Sequence, residues 1–244
     1  MKTLLIGCLL ILGLLTLAQA QGVKDGKGRQ NDWSYIGNYL SRDSVTHGPY
    51  TLVFINKDTA FAQSGDAIKQ AMEAAFFKVY PQEAERFNPK TATKVTFIID
   101  PGYKGVAATS GDIIRFSPAW MLAHPEDIDV VTHEAFHIVQ DYGDTPGPGW
   151  LTEGITDYVR YKYGVNNAKA NWSLPDYKPE QSYTNSYRIT ARFLAWLEKH
   201  KDNQIADKLN VAMRNHTYTP QIWVSLTGKT LDELWQEYGR NPAL

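Results

Sequence analysis

The run His133-Glu134-Ala135-Phe136-His137 has the residue types and the spacing of a metal-dependent hydrolytic site. On an α-helix, residues four apart share a face. Both imidazoles can then grip one ion, each at roughly 2.0–2.1 Å if the ion is zinc. Glu134 lies too close in sequence to His133 to complete the same chelate. It is placed instead to take a proton from a water in the open position of the metal, the role of a general base. The bland alternative is a solvated helix with two incidental histidines, which leaves two adjacent imidazoles beside a carboxylate with nothing to bind.

Two histidines need a third protein ligand. The position six residues beyond the second histidine is Gly143, which has no donor. The next candidate follows the Pro/Gly-rich stretch 144–149, in Trp150-Leu151-Thr152-Glu153-Gly154-Ile155-Thr156-Asp157. Glu153 supplies a carboxylate oxygen there, and a His₂Glu set leaves a fourth position for water. Asp157, one helical turn on and on the same face, can accept the free ring N–H of a ligand histidine and fix its tautomer. Taken alone, these two acids are also what the polar face of a surface helix carries.

The elements that must hold these residues are legible in outline. His124-Pro125-Glu126-Asp127 reads as a helix start, and Ile128, Val131, Ala135, Ile138 and Val139 recur as a helical stripe. Gly143 and the run after it end that helix, giving about four turns. Residues 50–55 and 94–99 are β-branched and aromatic runs, hence strands. Ile68, Met72, Ala75, Phe76 and Val79 between them keep helical spacing. Residues 106–116, broken at Ser110-Gly111-Asp112, read as a hairpin whose exposed edge can pair with an extended peptide. After Gly149 the signals are helical: Ile189, Phe193, Trp196 and Leu197 form one stripe, and Ile205, Leu209, Ala212 and Met213 another. Thr230 with Glu233 makes a capping box before Leu231, Leu234, Trp235 and Tyr238. The expected fold class is α+β: a zincin-like two-lobed domain with a small N-terminal mixed sheet, one covering helix, the motif helix and a helical C-terminal lobe. The divisions are a signal peptide at 1–20, an N-terminal arm at 21–46 (flexible over 21–32), an α/β sub-domain at 47–142 and a helical sub-domain at 143–244.

Lys2 and the apolar stretch Leu4 to Leu17, closed by Ala18-Gln19-Ala20, have the form of a signal peptide cut after Ala20. The mature chain is expected to be secreted or periplasmic, without a membrane span. Leu5-Ile6-Gly7-Cys8 resembles a lipobox, but almost no apolar stretch precedes it, so lipid anchoring at Cys8 is not expected. Cys8 is the only cysteine, which excludes disulfides and thiolate ligands from the mature chain. With 25 basic against 26 acidic residues, no basic field invites nucleic acid. A monomer is expected. The seven tryptophans and fourteen tyrosines read mostly as packing.

The segments His133-Glu134-Ala135-Phe136-His137-Ile138-Val139-Gln140 and Gly149-Trp150-Leu151-Thr152-Glu153-Gly154-Ile155-Thr156-Asp157-Tyr158-Val159-Arg160 resemble the basic secretory protein family, peptidases of plants and bacteria. So do Ser186-Tyr187-Arg188-Ile189-Thr190-Ala191-Arg192-Phe193-Leu194 and Leu226-Thr227-Gly228-Lys229-Thr230-Leu231-Asp232-Glu233-Leu234-Trp235. The resemblance runs from about residue 50 to 238. It implies a gluzincin-type zinc metallopeptidase acting on peptide or protein substrates, with Zn²⁺ on His133, His137 and Glu153, Glu134 as base and Asp157 behind a ligand histidine. The spacing from His137 to Glu153 is shorter than in thermolysin-like enzymes, so the third ligand rests on the family pattern. Gluzincin-like enzymes also take an oxyanion donor from the helical lobe. Tyr187 fits that role, with Tyr183 and Tyr163 as competitors. Two other functions remain open from sequence: a secreted zinc-binding protein without catalysis, and a glycan-interacting surface protein using exposed aromatics. Glu134 argues against the first, since a structural site has no use for a base. The second would need paired carboxylates rather than this motif to cleave a glycosidic bond.

Overall fold

The computed structural model describes residues 33–143 and 147–244; the expected signal peptide, Cys8 and the flexible stretch 21–32 lie outside the described residues. The described residues form nine α-helices and five strands, in chain order: β1 (Ser41–His47), β2 (Tyr50–Asn56), α1 (Thr59–Ser64), α2 (Asp66–Phe87), β3 (Lys94–Ile99), β4 (Ala107–Ser110), β5 (Ile113–Phe116), α3 (Pro118–Ala123), α4 (Val130–Gln140), α5 (Gly149–Tyr163), α6 (Tyr187–His200), α7 (Ile205–Arg214), α8 (Gln221–Thr227) and α9 (Leu231–Arg240). The strands form one mixed sheet of order β1-β2-β3-β5-β4. The β2–β3 and β3–β5 pairs are parallel, while β1–β2 and β4–β5 are antiparallel. The central strands β2 and β3 bury most of their side chains, on both faces, as near-continuous apolar runs in a parallel pair must.

One face of the sheet carries Leu52, Phe54, Val95, Phe97, Ile99, Ile114 and Phe116 into the main core, where Met72, Phe76 and Tyr80 of α2 and Ala135 and Phe136 of α4 meet them. The other face carries a small cluster of Val53, Ile55 and Ile98 under Ile36 and Ile113. The main core continues without a break through Leu151, Ile155, Phe193, Leu209 and Leu234, so the sheet and the C-terminal helices share it. Residues Ile36–Leu244 form one compact unit. This is the expected α+β arrangement, a five-strand mixed sheet followed by a helical region. No helix among the described residues is long and apolar enough to cross a membrane.

Two local expectations differ from the structure. The motif helix begins at Val130, not near Pro125, and runs for 11 residues, about three turns. The acids expected to open it bond elsewhere. Asp127 accepts from Trp120 Nε1 at 3.0 Å and Arg160 Nη2 at 2.5 Å. Glu126 accepts from Asn166 Nδ2 at 2.9 Å. The residue at the observed N-cap is instead Asp129, fully buried, which accepts from the main-chain N–H groups of Val165 at 2.7 Å and Asn166 at 2.6 Å. The second difference is β1, within the stretch expected to be an arm. Its polar sequence carries no apolar alternation, and β2 supplies its partner across a turn at Gly48, which holds φ +57.

The helices α5 and α6 pack closely through Gly154. A Cβ at this position would lie 2.2 Å from Cγ2 of Thr190, itself fully buried on α6. Gly154→Ala should therefore cost about 1–3 kcal/mol of stability by overpacking, with partial relief from Thr190→Ser, which removes that methyl. Thermal denaturation of the single and double variants checks this; an unchanged Tm in Gly154→Ala would mean the two helices separate freely.

Candidate metal centre

The helices α4 and α5 bring His133, His137 and Glu153 together, with one ligand-type atom from each lying within 4.8 Å of the others. His133 Nε2 stands 3.3 Å and His137 Nε2 stands 3.6 Å from the same carboxylate oxygen, Oε2 of Glu153. The other ring nitrogens are committed. His133 Nδ1–H donates to Asp157 Oδ1 at 2.7 Å, and His137 Nδ1–H donates to Gln140 Oε1 at 2.8 Å. Each imidazole in its neutral form thus presents a bare Nε2 lone pair to the centre. Glu153 Oε2 is buried and has no hydrogen-bond donor. Three lone pairs facing one another at this range repel unless positive charge sits among them. The donor set fits a divalent metal held by two imidazoles and one carboxylate, which leaves a coordination position open.

The electrostatics say the same through protons. Burial alone would lower the pKa of His133, but the carboxylates of Asp157 and Glu153 outweigh it and lift the ring to about 10. His137 is also raised, with burial opposed chiefly by Glu153. Burial would raise Glu153, but the two histidines hold it well below the usual carboxylate range. Without metal, the site fills with protons the space a cation would take.

The two helices are clasped at both ends of α4. At its start, Asp129 holds the loop that follows α5, as described above. At its end, Gln140 Nε2 donates to the main-chain carbonyl of Thr152, at 3.0 Å and one residue before Glu153. Gln140 therefore orients His137 and ties it to the helix of the third ligand. Sequence reading passed it over, although its place three residues after His137 on one helix face made it visible. Asp157, expected behind one of the two histidines, lies behind His133.

Glu134 points from α4 towards the edge strand β4. Thr109 Oγ1 lies 2.7 Å from Glu134 Oε2 and 2.9 Å from its main-chain carbonyl oxygen. No sequence signal links a threonine 25 residues upstream to the motif. Of the three tyrosines considered, only Tyr187 reaches the site. Its ring stacks on His133 with centroids 6.1 Å apart and planes 18° from parallel. Tyr183 donates to Asp232 at 2.8 Å, and Tyr163 accepts from Arg86 at 3.4 Å. Ser186 and Tyr187 hold φ +69 and +47 in succession, a region that L side chains avoid and that tends to be kept at functional sites. Burial, then the charges of Glu153, Asp157 and Glu134, push the Tyr187 phenol up to about 12. It stays protonated, and therefore a donor, at neutral pH.

The chain matches the family described as BSP, peptidase of plants and bacteria, over residues 52–238. No curated protein matches it. Among solved structures, an M1 zinc metallopeptidase from Deinococcus radiodurans is similar at 14% identity over 80% of this chain and 49% of that one, with a TM-score of 0.43. An aminopeptidase N family protein from Idiomarina loihiensis is similar at 15% identity over 83% of this chain and 41% of that one, with a TM-score of 0.39. The chain spans half or less of the length of these structures.

Raised histidine pKa values fix the sign of a pH dependence. A proton sits on His133 at neutral pH in the metal-free site and must leave when a metal binds, so metal affinity should rise with pH until about pH 10. Calorimetry at pH 7 in buffers of different ionisation enthalpy should detect release of at least about one proton per metal. Binding without proton release would place the metal away from these imidazoles.

Proposed function

This chain belongs to the peptidase family of plants and bacteria, and from that premise we propose that it is an exported zinc metallopeptidase that hydrolyses peptide bonds. The observation that carries the proposal is the convergence of His133 Nε2, His137 Nε2 and Glu153 Oε2 beside a carboxylate, Glu134, that is not needed to bind the ion. These three atoms would hold the zinc. When bound, zinc polarises the scissile carbonyl and lowers the pKa of a water towards about 7. Everything else is done by side chains of the chain itself.

Glu134 takes a proton from the attacking water and later gives it to the leaving amine. Its position supports this, since it is 7% exposed and leans towards the sheet edge rather than into the ligand cluster. Asp157 and Gln140 keep the two imidazoles in the tautomer that leaves Nε2 free. Tyr187 donates its phenol proton in a hydrogen bond to the oxyanion of the tetrahedral intermediate, in the manner of an oxyanion hole. The substrate lies extended along the free edge of β4, the last strand of the sheet, and pairs backbone to backbone. Export rests on the signal-like segment 1–20.

Two variants test the division of labour, each read on a labelled peptide with and without chelator. Glu134→Gln should keep one zinc per chain and its Tm, yet lose hydrolysis by several orders of magnitude, because the ligands remain while the proton acceptor is gone. Comparable turnover in this variant would sink the mechanism, and a wild type without chelator-sensitive turnover would favour a zinc-binding protein without catalysis.

Tyr187→Phe should lower kcat about tenfold or more with little change in KM, since the lost bond forms mainly in the transition state. An unchanged kcat would remove Tyr187 from catalysis and leave the metal centre standing.

A further inference from the structure

We propose that Thr109, on the edge strand β4, is a positioning residue for the general base, and that its hydroxyl sets which oxygen of Glu134 faces the attacking water. The inference rests on the metallopeptidase reading above and adds to it a residue outside the motif and outside both helices of the metal centre.

The geometry is specific. Thr109 Oγ1 stands 2.7 Å from Glu134 Oε2 and 2.9 Å from the Glu134 main-chain oxygen. A hydroxyl has one proton to donate. The main-chain oxygen is in mid-helix and already serves the α4 ladder. The carboxylate is the charged and stronger acceptor, so the proton belongs on the bond to Oε2. Among the described residues, Thr109 is the hydrogen-bond partner of this carboxylate. With Oε2 occupied, Oε1 is the oxygen left to receive the proton of a water. A glutamate side chain otherwise turns about three bonds, and a base that wanders loses the alignment on which proton transfer depends.

The location of Thr109 gives the contact a second consequence. Its strand is fixed by pairing with β5, in a register that sets Thr109 opposite Ile114, and its β-branched side chain is stiff at χ1. The start of the same strand is held by Tyr103, which donates to the Ala107 carbonyl at 2.8 Å. The outer edge of β4, beyond the Ala107 carbonyl that Tyr103 occupies, is where the peptide is proposed to pair. The base and the scissile bond would then be referenced to one strand, so a substrate in register with β4 is also in register with Glu134. A merely structural threonine would satisfy its hydroxyl without this coupling.

Zinc-loaded wild type, Thr109→Val, Thr109→Ser, Glu134→Gln and the T109V/E134Q double variant separate the two roles. Valine keeps the shape and β preference and removes only the donor. For T109V, kcat should fall about 10–100-fold, the rate equivalent of one charge-assisted hydrogen bond, with KM, zinc content and Tm close to wild type. T109S should recover kcat to within about threefold, since the donor returns. In the E134Q background the valine should cost nothing further, because its effect passes through the carboxylate. A crystal structure of T109V should show the Glu134 carboxylate turned from β4. If valine lowers Tm or zinc content, Thr109→Ala is read against the same expectations. The proposal is overturned by a T109V kcat within about twofold of wild type, by a serine variant as slow as the valine, or by equal losses in the wild-type and E134Q backgrounds. A wild type with no chelator-sensitive hydrolysis is a different failure: it overturns the peptidase reading itself, and this inference with it.

Discussion

Three lone pairs aimed at one point are the constraint on which the rest of the structure depends. His133, His137 and Glu153 face one another with bare acceptor atoms, an arrangement that is repulsive without a cation or protons at its centre. The chain holds them there by fixing α4 against α5 at both ends. Asp129 binds the loop after α5 at one end, and Gln140 binds the Thr152 carbonyl at the other. Gly154, next to the third ligand, then lets α6 come close enough to bring Tyr187 over His133. A cavity or slip at any of these joints moves a ligand by a fraction of an ångström, and metal centres tolerate little of that.

The layer behind the ligands is asymmetric. His133 rests on a carboxylate and His137 on a neutral amide. A carboxylate partner raises imidazole basicity more than an amide does, consistent with His133 being lifted to about 10 with Asp157 the leading cause after burial. A further acid, Glu83, is fully buried near His133 without a hydrogen-bond partner for either oxygen. Complete burial pushes its carboxyl well above the usual range. The negative charge at the centre comes from Glu153, Asp157 and Glu134, close to the sheet edge where a peptide would lie.

Much of this could be read from the residues themselves, wherever the relevant contacts are local. Periodicity placed α2, α6 and α7, apolar runs placed β2 and β3, and Gly111 at φ +58 closes the hairpin where a turn was expected. The histidine pair, Glu134 between them, and the one-turn spacing of Asp157 from Glu153 are set by helix geometry over a few residues, whereas Glu153 as a third ligand on a second helix was an expectation from the family pattern. Gln140 was equally legible at three residues from His137. The start of α4 was not, because Glu126 and Asp127 could open a helix there or bind Asn166 and Arg160, and only the packed chain decides between these partners. The strand β1 was hidden for the same reason: its ladder exists because β2 is beside it.

By itself, then, the sequence determined the chemistry on offer: which donors stand at helical spacing, which carboxylate lies between them, and which segments bury an apolar face. Only the tertiary structure decided the partners. It set the Tyr187 ring against His133 and engaged Tyr183 and Tyr163 with Asp232 and Arg86. It also set Thr109 of a strand against Glu134 of a helix, 25 residues on. The physical reason is range. Helix geometry fixes distances only between residues a turn or so apart, whereas contacts between elements depend on how the shared core packs them, and no local spacing encodes that.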